Sequence, residues 1–292
     1  MTRDNVADLL LYLSERDRSI LDSLRELRLL TTTQLRRLHF HHQEDDTSDN
    51  EEESGRKKGH TTEAAAAVAA MRVMGRLEAR GLVARLMRRI GGVRAGSASI
   101  VWQLGAAGER FLRVLYGEDK RRRYSEPSST LFIDHTLAVA EAAVRLRELE
   151  RDDALEVVGL EPEPKSWRSF MAPHGARSWL KPDLFAITAS GEFEDHWFIE
   201  VDRATEHLGV VLRKAHVYQR YAATGAHQAE HGLFPAMLWV VPDAKRRQAL
   251  HDALTTERGL QADMFRVITE EQLTDAMVGS ATSIDKGERE KK

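Results

Sequence analysis

Residues 196–206, which read HWFIEVDRATE, decide the fold of the second half of the chain. The stretch opens with Trp197, Phe198 and Ile199, an apolar run that is typical of a buried strand. Glu200 and Asp202 then interrupt this run, two residues apart. Because the side chains of a strand alternate between its two faces, both carboxylates project from the same face. A core strand that ends in two acids on one face indicates a polar site.

A third acid is expected beside this strand end. The stretch KPDLFAIT (181–188) is a predicted strand with Asp183 at its start, seventeen residues before Glu200. A hairpin through SGEFED (190–195) brings the two strands side by side, and Asp183 then lies within reach of Glu200. Three carboxylates at one spot repel each other unless a cation joins them. Mg²⁺ or Mn²⁺, which prefer oxygen ligands, is the cofactor that Asp183, Glu200 and Asp202 would take.

This spacing resembles that of the PD-(D/E)XK nucleases, in which an acid pair holds the metal and a lysine stabilises charge or orients the water. Here Asp202 stands where the lysine is expected, and Lys214 follows on the next predicted helix. Two hypotheses remain open. In one, Asp183, Glu200, Asp202 and Lys214 are catalytic; in the other, Lys214 and Arg203 pair with the carboxylates in a non-catalytic polar network.

The elements around these strands predict a mixed α/β sheet covered on both faces. A long helical pattern at LFIDHTLAVAEAAVRLRELE precedes the strand LEVVGLEP. The helix EHLGVVLRKAHVYQRYAAT, the buried strand FPAMLWVVPD, the helix AKRRQALHDAL and the strand in MFRVITEEQL follow the hairpin. Alternating helices and strands are typical of such a sheet. We assign residues 131–278 to an α/β domain that resembles the PD-(D/E)XK nuclease fold, and residues 279–292 to a flexible tail.

The first half is predicted to be helical with a short hairpin. Three helical patterns are followed by the short strands LVARLMRRI and SIVWQLG around a glycine-rich turn, which is the winged helix-turn-helix arrangement, and AAGERFLRVLY adds a helix behind it. Residues 43–54 hold seven acids and no base, which indicates a disordered insertion at 43–59. We therefore expect a winged-helix domain at 1–116 and a linker at 117–130, so that the whole chain is of the α+β, or mixed, class.

Positive charge is concentrated in this first half. Residues 60–125, here called the basic segment, hold thirteen Arg and Lys against five Asp and Glu, a local net charge of +8. Arg72, Arg76 and Arg80 recur every four residues and so share a helix face, with a single acid, Glu78, between them. A duplex neutralised at several phosphates explains such a face better than solvation alone. The predicted DNA-binding residues are Arg72, Arg76, Arg80, Arg85, Arg88, Arg89 and Arg94.

Composition limits the function classes. The net charge of the 292-residue chain is −3, so any affinity for nucleic acid must arise locally. The chain has no cysteine, which excludes disulfides and thiolate metal sites and is compatible with a reducing cytoplasm. No apolar run is long enough for a membrane span, and we expect a soluble intracellular protein. His39, His41 and His42 do not have the spacing of a three-ligand zinc site.

The order of these motifs resembles the replication-relaxation family of bacterial plasmids and integrative elements. The resemblance runs over roughly residues 15–225 and is most specific at PD, at EVDRATE and at LRKAHVYQRY. The acidic insertion departs from the family pattern, and Ala204 stands where the family usually has glycine. The resemblance implies a DNA-associated role in replication or mobilisation of a mobile element, and no settled enzymatic activity.

Three functions are compatible with the sequence. The first is an accessory protein that binds duplex DNA through the winged helix, with a degenerate nuclease-like domain that contacts replication or conjugation proteins. The second is a Mg²⁺- or Mn²⁺-dependent DNA endonuclease that nicks DNA with Asp183, Glu200 and Asp202. The third is a transcriptional regulator that senses a ligand, which the charged site disfavours because ligand pockets are mostly apolar.

Overall fold

The computed structural model describes residues 3–40, 62–86, 100–119, 129–172, 175–191 and 193–279. Contacts divide the chain into unit 1, residues 1–144, and unit 2, residues 145–292. The predicted acidic insertion at 43–59, most of the predicted linker at 117–130 and nearly all of the predicted tail at 279–292 lie outside the described residues. Helices and strands in both units confirm the mixed class predicted from the sequence.

Unit 1 combines helices with a small antiparallel sheet. Its elements are α1 (Arg3–Tyr12), α2 (Glu15–Leu27), β1 (Leu29–Thr31), α3 (Thr32–His39), α4 (Glu63–Ala79), β2 (Val83–Arg85), β3 (Val101–Leu104), α5 (Ala106–Leu115) and the first part of α6 (Thr130–Arg151). The three strands lie in the order β1-β3-β2. Each strand is only three or four residues long, so the helices supply most of the core.

Local sequence signals fix the ends of the unit 1 helices. Ser14 and Thr31 cap α2 and α3 in capping boxes, in which side chain and backbone bond reciprocally. Thr62 caps α4 by accepting a hydrogen bond from the Ala65 amide, at 3.1 Å. Gly81 follows the end of α4 with φ +65°, a conformation that glycine adopts without strain.

The core of unit 1 lies where α2, α3 and α4 meet the sheet. Its fully buried side chains include Leu24, Leu35, Met74 and Trp102. The Trp102 indole donates to the Thr32 hydroxyl at 2.9 Å, so its polar atom is satisfied inside the core. Burial of these side chains against the short sheet holds α3 and α4 together.

Unit 2 is built on a five-stranded sheet. Its elements are the remainder of α6, β4 (Glu156–Pro162), β5 (Arg168–Met171), β6 (Arg177–Leu180), β7 (Leu184–Ser190), β8 (Phe193–Val201), α7 (Leu208–Ala222), α8 (Ala226–His231), β9 (Ala236–Val241), α9 (Ala244–Thr256), β10 (Phe265–Thr269) and a helix α10 at 273–279. The strand order is β10-β9-β8-β7-β4, and β5 pairs separately with β6. β7 runs antiparallel to β4 and β8, whereas β9 is parallel to β8 and β10.

One face of this sheet carries α7 and α9. Phe198, Trp239 and Phe265 from three strands pack with Tyr218 of α7 and Leu250 of α9 in a single apolar cluster. Residues 196, 198 and 200 share a face of β8, because side chains alternate along a strand. Glu200 and Asp202, the acid pair predicted from the sequence, therefore lie at the end of β8 beneath the helices that cover this face.

The boundary between the units falls inside α6, at 144/145. Ile133, in the first half of α6, packs with Leu29 and Val101 of unit 1. The helix therefore continues from one compact unit into the other. None of the described helices combines the length and the apolar character that crossing a membrane requires.

We expect Asp17→Ala to destabilise the protein by about 3 kcal/mol, the low end for a buried pair that loses one partner. Asp17 is 1% exposed, and it accepts hydrogen bonds from the Ser14 amide at 3.0 Å and from Arg76 at 2.5 Å. The low end of this range of destabilisation applies because the Arg76 side chain, left without Asp17, is still accessible to water. Urea unfolding followed by circular dichroism measures the change.

Glu15→Ala is the matched control, since Glu15 is an exposed acid in the same helical turn. Its loss should cost less than about 1 kcal/mol, the usual contribution of an exposed charge to the helix dipole. Equal losses of stability in the two variants would show that the buried ion pair between Asp17 and Arg76 contributes no more than an exposed acid does.

Candidate functional site

Asp183 and Glu200 are neighbours across the β7–β8 ladder, as the predicted hairpin requires. The ladder pairs Leu184 with Ile199, so Asp183 lies opposite Glu200, one position beyond it. Both carboxylates are buried, with 6% and 3% exposure. One Asp183 oxygen accepts a hydrogen bond from the Val201 amide at 2.8 Å, which fixes this side chain against the strand end. The sequence thus predicted the proximity of these two acids.

Helix α7 supplies two partners to Glu200. Lys214 donates to one carboxylate oxygen and Tyr218 donates to the other. The two donors lie one turn apart on α7, so they face the same strand. Tyr218 is fully buried, and Lys214 keeps about a third of its side chain exposed. We call Asp183, Glu200, Lys214 and Tyr218 the carboxylate site.

The charges at the carboxylate site do not balance without a proton. Within this site two carboxylates face one ammonium, so the formal charges of its four members sum to −1 when both acids are ionised. Burial raises the pKa of Glu200 to about 8, and the Asp183 carboxylate adds to the rise while Lys214 opposes it. Desolvation opposes the charge on Lys214, but the charges of Glu200 and Asp183 raise the pKa of this lysine above its ordinary value. A proton shared at Glu200 therefore completes the balance.

Asp202 is held by a different cation. Arg246 of α9 donates to one Asp202 oxygen through Nη2 at 2.7 Å and Nε at 3.2 Å. The Ala204 amide donates to the other oxygen at 2.5 Å, and Ala204 adopts φ +57°. Arg203, which the polar-network hypothesis paired with the carboxylates, instead contacts Glu270 at 2.9 Å. Asp202 therefore ends the strand in a tight turn that is closed by Arg246.

The residues as arranged do not fit a Mg²⁺ or Mn²⁺ ion bound by Asp183, Glu200 and Asp202. Both oxygens of Glu200 accept hydrogen bonds, and Asp202 is bound to Arg246. Among the described residues, these three carboxylates do not form a group whose ligand atoms all lie within 4.8 Å of one another. The ammonium of Lys214 already binds one of the Glu200 oxygens that a metal ion would need. We derive no chemical step through a metal at this site.

In unit 1, the α4 arginines have different surroundings. Arg76 is bound by the buried Asp17, and the guanidinium groups of Arg76 and Arg80 lie 5.5 Å and 3.5 Å from the centre of the Tyr12 ring. Arg72 is exposed, and no described acid forms an ion pair with it. The expectation that this stripe lacks acidic partners was wrong at Arg76, because Asp17 comes from α2 and is far away in sequence.

The hairpin arginines are described only in part. Arg85, at the end of β2, binds Glu78 at 2.6 Å, and its guanidinium lies 5.1 Å from the Trp102 ring centre. Arg88, Arg89 and Arg94 lie outside the described residues. Arg72 and Arg80 are thus the predicted DNA-binding arginines that are described and exposed without an acidic partner in the described part of the chain, and Arg80 differs from Arg72 in lying over the Tyr12 ring.

Two sets of polar residues were missed by sequence reasoning. Arg246 lies 44 positions after Asp202, and nothing in its sequence context, a basic run after the helix cap Asp243, indicates its partner. His196, His227 and His231 come together in unit 2, and they offer three ligand atoms within 4.8 Å of one another. A signal for the last two was present, since HQAEH (227–231) has the i, i+4 spacing of one helix face.

Comparison with known proteins identifies the family. The sequence model described as replication-relaxation matches residues 21–237, about three quarters of the chain. The chain therefore belongs to the replication-relaxation family, as the motif order predicted, and the family description links it to replication. Neither the curated proteins nor the solved structures gave a match to this chain.

The raised pKa of Glu200 predicts a pH-dependent stability that Glu200→Gln lacks. Glutamate in an unfolded chain titrates near 4.5, whereas folded Glu200 titrates near 8. Folding therefore takes up a proton between these values, and this contribution to stability is lost as the pH rises through the window. The free energy of unfolding should fall by at most about 1.4 kcal/mol per pH unit relative to Glu200→Gln.

Urea unfolding followed by tryptophan fluorescence, at several pH values from about 5 to 8, measures this difference. Groups that titrate in both proteins, such as the histidines, cancel in the comparison. Parallel curves for the wild type and Glu200→Gln would mean that Glu200 is ionised throughout the window and would contradict the charge balance given above.

Proposed function

We propose that this member of the replication-relaxation family is a DNA-binding accessory protein that acts in the replication or mobilisation of a plasmid or integrative element. Unit 1 acts as a winged helix that binds duplex DNA, and unit 2 is a degenerate nuclease-like domain. The observation that carries the proposal is the arrangement of α4. This helix packs on α3 and β2 and leaves its opposite face exposed.

The exposed face of α4 carries side chains suited to contact with DNA but not to the recognition of many bases. It presents Ala64, Val68, Met71 and Arg72, with Val68 59% exposed and Met71 37% exposed. Apolar side chains in the major groove contact thymine methyl groups, whereas arginine binds phosphate or guanine. Such a face supports contacts with phosphate and DNA shape more than hydrogen-bonded base recognition. The exposed apolar side chains Val68 and Met71 lie on the face of α4 turned away from the core of unit 1.

The remaining arginines have divided roles in this proposal. Arg76 and Arg80 lie beside Tyr12, and Arg76 also anchors α4 to Asp17, so Arg76 acts chiefly through stability. Arg72 contacts the DNA directly. Arg88, Arg89 and Arg94 belong to the wing by their position in the sequence, and their charges add phosphate contacts.

The carboxylate site supports the degenerate reading of unit 2. The acid pair of the nuclease motif is assembled, but Asp202 replaces the motif lysine and is bound by Arg246. Lys214 neutralises Glu200 directly, which lets the buried site persist with no divalent cation. The network then serves to fix α7 on β8. A platform held in this way is suited to contacts with replication or conjugation proteins.

We expect Arg72→Ala to weaken duplex binding for every sequence and to reduce the slope of log Kd against log salt by roughly one. The reason is the loss of one phosphate contact on an otherwise unchanged helix. Fluorescence anisotropy with a labelled duplex at several NaCl concentrations measures both quantities. Arg110→Ala is the matched control, since Arg110 is an exposed arginine on α5 of the same unit.

An equal loss of affinity in Arg110→Ala would show that only the total charge of unit 1 matters, and no loss in Arg72→Ala would remove α4 from the interface. Circular dichroism confirms that both variants are folded. The triple change of Arg72, Arg76 and Arg80 is less informative, because the loss of Arg76 leaves the buried Asp17 unpaired.

We further expect no nicking of supercoiled plasmid DNA by the full chain with Mg²⁺ or Mn²⁺ beyond the level of Glu200→Gln. The reason is that Lys214 and Tyr218 already bind both oxygens of Glu200. Gel electrophoresis of the plasmid over time measures the outcome. Metal-dependent nicking by the wild type that is lost in both Glu200→Gln and Asp183→Asn would establish the endonuclease instead.

A further inference from the structure

Three histidines of unit 2 meet at the start of β8. His196 lies on β8, and His227 and His231 lie one turn apart on α8. The Nδ1 atom of His196 lies 3.2 Å from the Nε2 atom of His227, and the rings of His227 and His231 lie 4.4 Å apart at 33°. His196 and His227 are buried, whereas His231 is exposed. We call these residues the histidine cluster.

The spacing of the donor atoms fits a tetrahedral metal ion. Zinc binds histidine nitrogen at about 2.0–2.1 Å, so two nitrogens of one tetrahedron lie about 3.3–3.4 Å apart. The separation of 3.2 Å between His196 and His227 is close to this value. Each of the three histidines offers a ligand atom within 4.8 Å of the others, so a small side-chain adjustment brings in the third.

A carboxylate orients the first of these ligands. Glu194, two residues earlier on β8, lies with its Oε1 atom 2.8 Å from the Nε2 atom of His196. A carboxylate at one ring nitrogen holds the proton there and leaves the other nitrogen free to bind a metal. In His196 this leaves Nδ1, the atom that faces His227. The arrangement is that of a metal-binding histidine with its supporting acid.

The environment favours neutral imidazoles, the form that binds metal ions. Phe185, Phe198 and Phe234 surround His227, each with its ring centre about 6 Å away. Aromatic packing alone also accounts for a buried histidine. It does not account for three imidazole nitrogens that converge with a carboxylate behind one of them.

We propose that His196, His227 and His231 bind one divalent transition-metal ion, of which Zn²⁺ is the type, and that the ion fastens α8 to β8. Three imidazoles, with no carboxylate bound to the ion, select zinc-like ions over Mg²⁺ or Ca²⁺. Water takes the fourth position on the exposed side of His231.

Helix α8 needs contacts with the rest of unit 2 to be stable. It spans six residues and lies between Gly225 and Gly232, which both have positive φ. A helix of this length is not stable by itself in water, and its stability must come from packing. Of the six residues of α8, His227 is buried, whereas His231 and three others are exposed. A metal bound by both histidines of the helix adds two strong attachments at this point.

The histidine cluster is separate from the carboxylate site. His196 and Glu200 share a face of β8 but stand four residues apart, which is about 13 Å along a strand. The proposal therefore stands whether or not unit 1 binds DNA and whether or not the carboxylates have an activity.

Titration of the tag-free, chelator-treated full chain with Co²⁺ tests the proposal. A tetrahedral Co²⁺ site gives a characteristic visible absorption, and Zn²⁺ should displace Co²⁺ at a ratio of one ion per chain. We expect His231→Ala to weaken binding at least about tenfold, since it removes one of three ligands, and Glu194→Gln to weaken it by about tenfold, the lower range for a lost supporting acid. Zn²⁺ should also raise the melting temperature of the wild type and not that of His231→Ala.

His216→Ala is the matched control, because His216 of α7 is partly buried and pairs with Glu257 at 3.1 Å, away from the cluster. It should bind Co²⁺ like the wild type. His231 is exposed, so its replacement should leave the fold intact, and circular dichroism checks this. A wild-type affinity for Co²⁺ and Zn²⁺ no greater than that of His231→Ala would overturn the proposal and identify the cluster as aromatic packing only.

Discussion

The structure of unit 2 depends on how the negative charge at the end of β8 is compensated. Glu200 is 3% exposed, and an isolated carboxylate in such a position would be far too costly to keep ionised. The protein meets this constraint with Lys214 and Tyr218 from one helix and with a shift in the pKa of Glu200 itself. Because both donors come from α7, the same contacts that neutralise the charge fix that helix on the sheet. Removal of Glu200 takes from Lys214 and Tyr218 the acceptor that they share.

The turn after β8 is a second consequence of the same strand end. Asp202 cannot be neutralised by Lys214, which is already bound to Glu200, and Arg246 of α9 supplies its cation. The Ala204 amide closes the turn, and the φ value of +57° at Ala204 lies in the left-handed region that suits glycine. Arg246 and the amide together hold alanine in a conformation that it rarely adopts.

The sequence predicted those parts of the fold that are determined by local pattern. The hairpin between β7 and β8 followed from two apolar runs around a polar turn, and it gave the proximity of Asp183 and Glu200 correctly. What the sequence did not give is which cation meets which acid, because Asp17 with Arg76 and Asp202 with Arg246 are 59 and 44 positions apart. Such pairs are fixed by the packing of helices, and charge counts along the chain do not contain them.

The same limit explains why the histidines were overlooked. His196, Phe198 and Glu200 stand at every second position of β8 and share one face, so the strand that carries a polar site at its end also presents His196 near its start to the same layer of helices. At the Glu200 end that layer supplies a lysine and a tyrosine, and at the His196 end it supplies two more histidines. Phe198 packs between the two ends against Tyr218 and His227 and keeps them apart. One strand face thus carries two polar sites of different chemistry, an acid pair balanced by a proton and an ammonium, and a group of imidazoles with the spacing of a metal site.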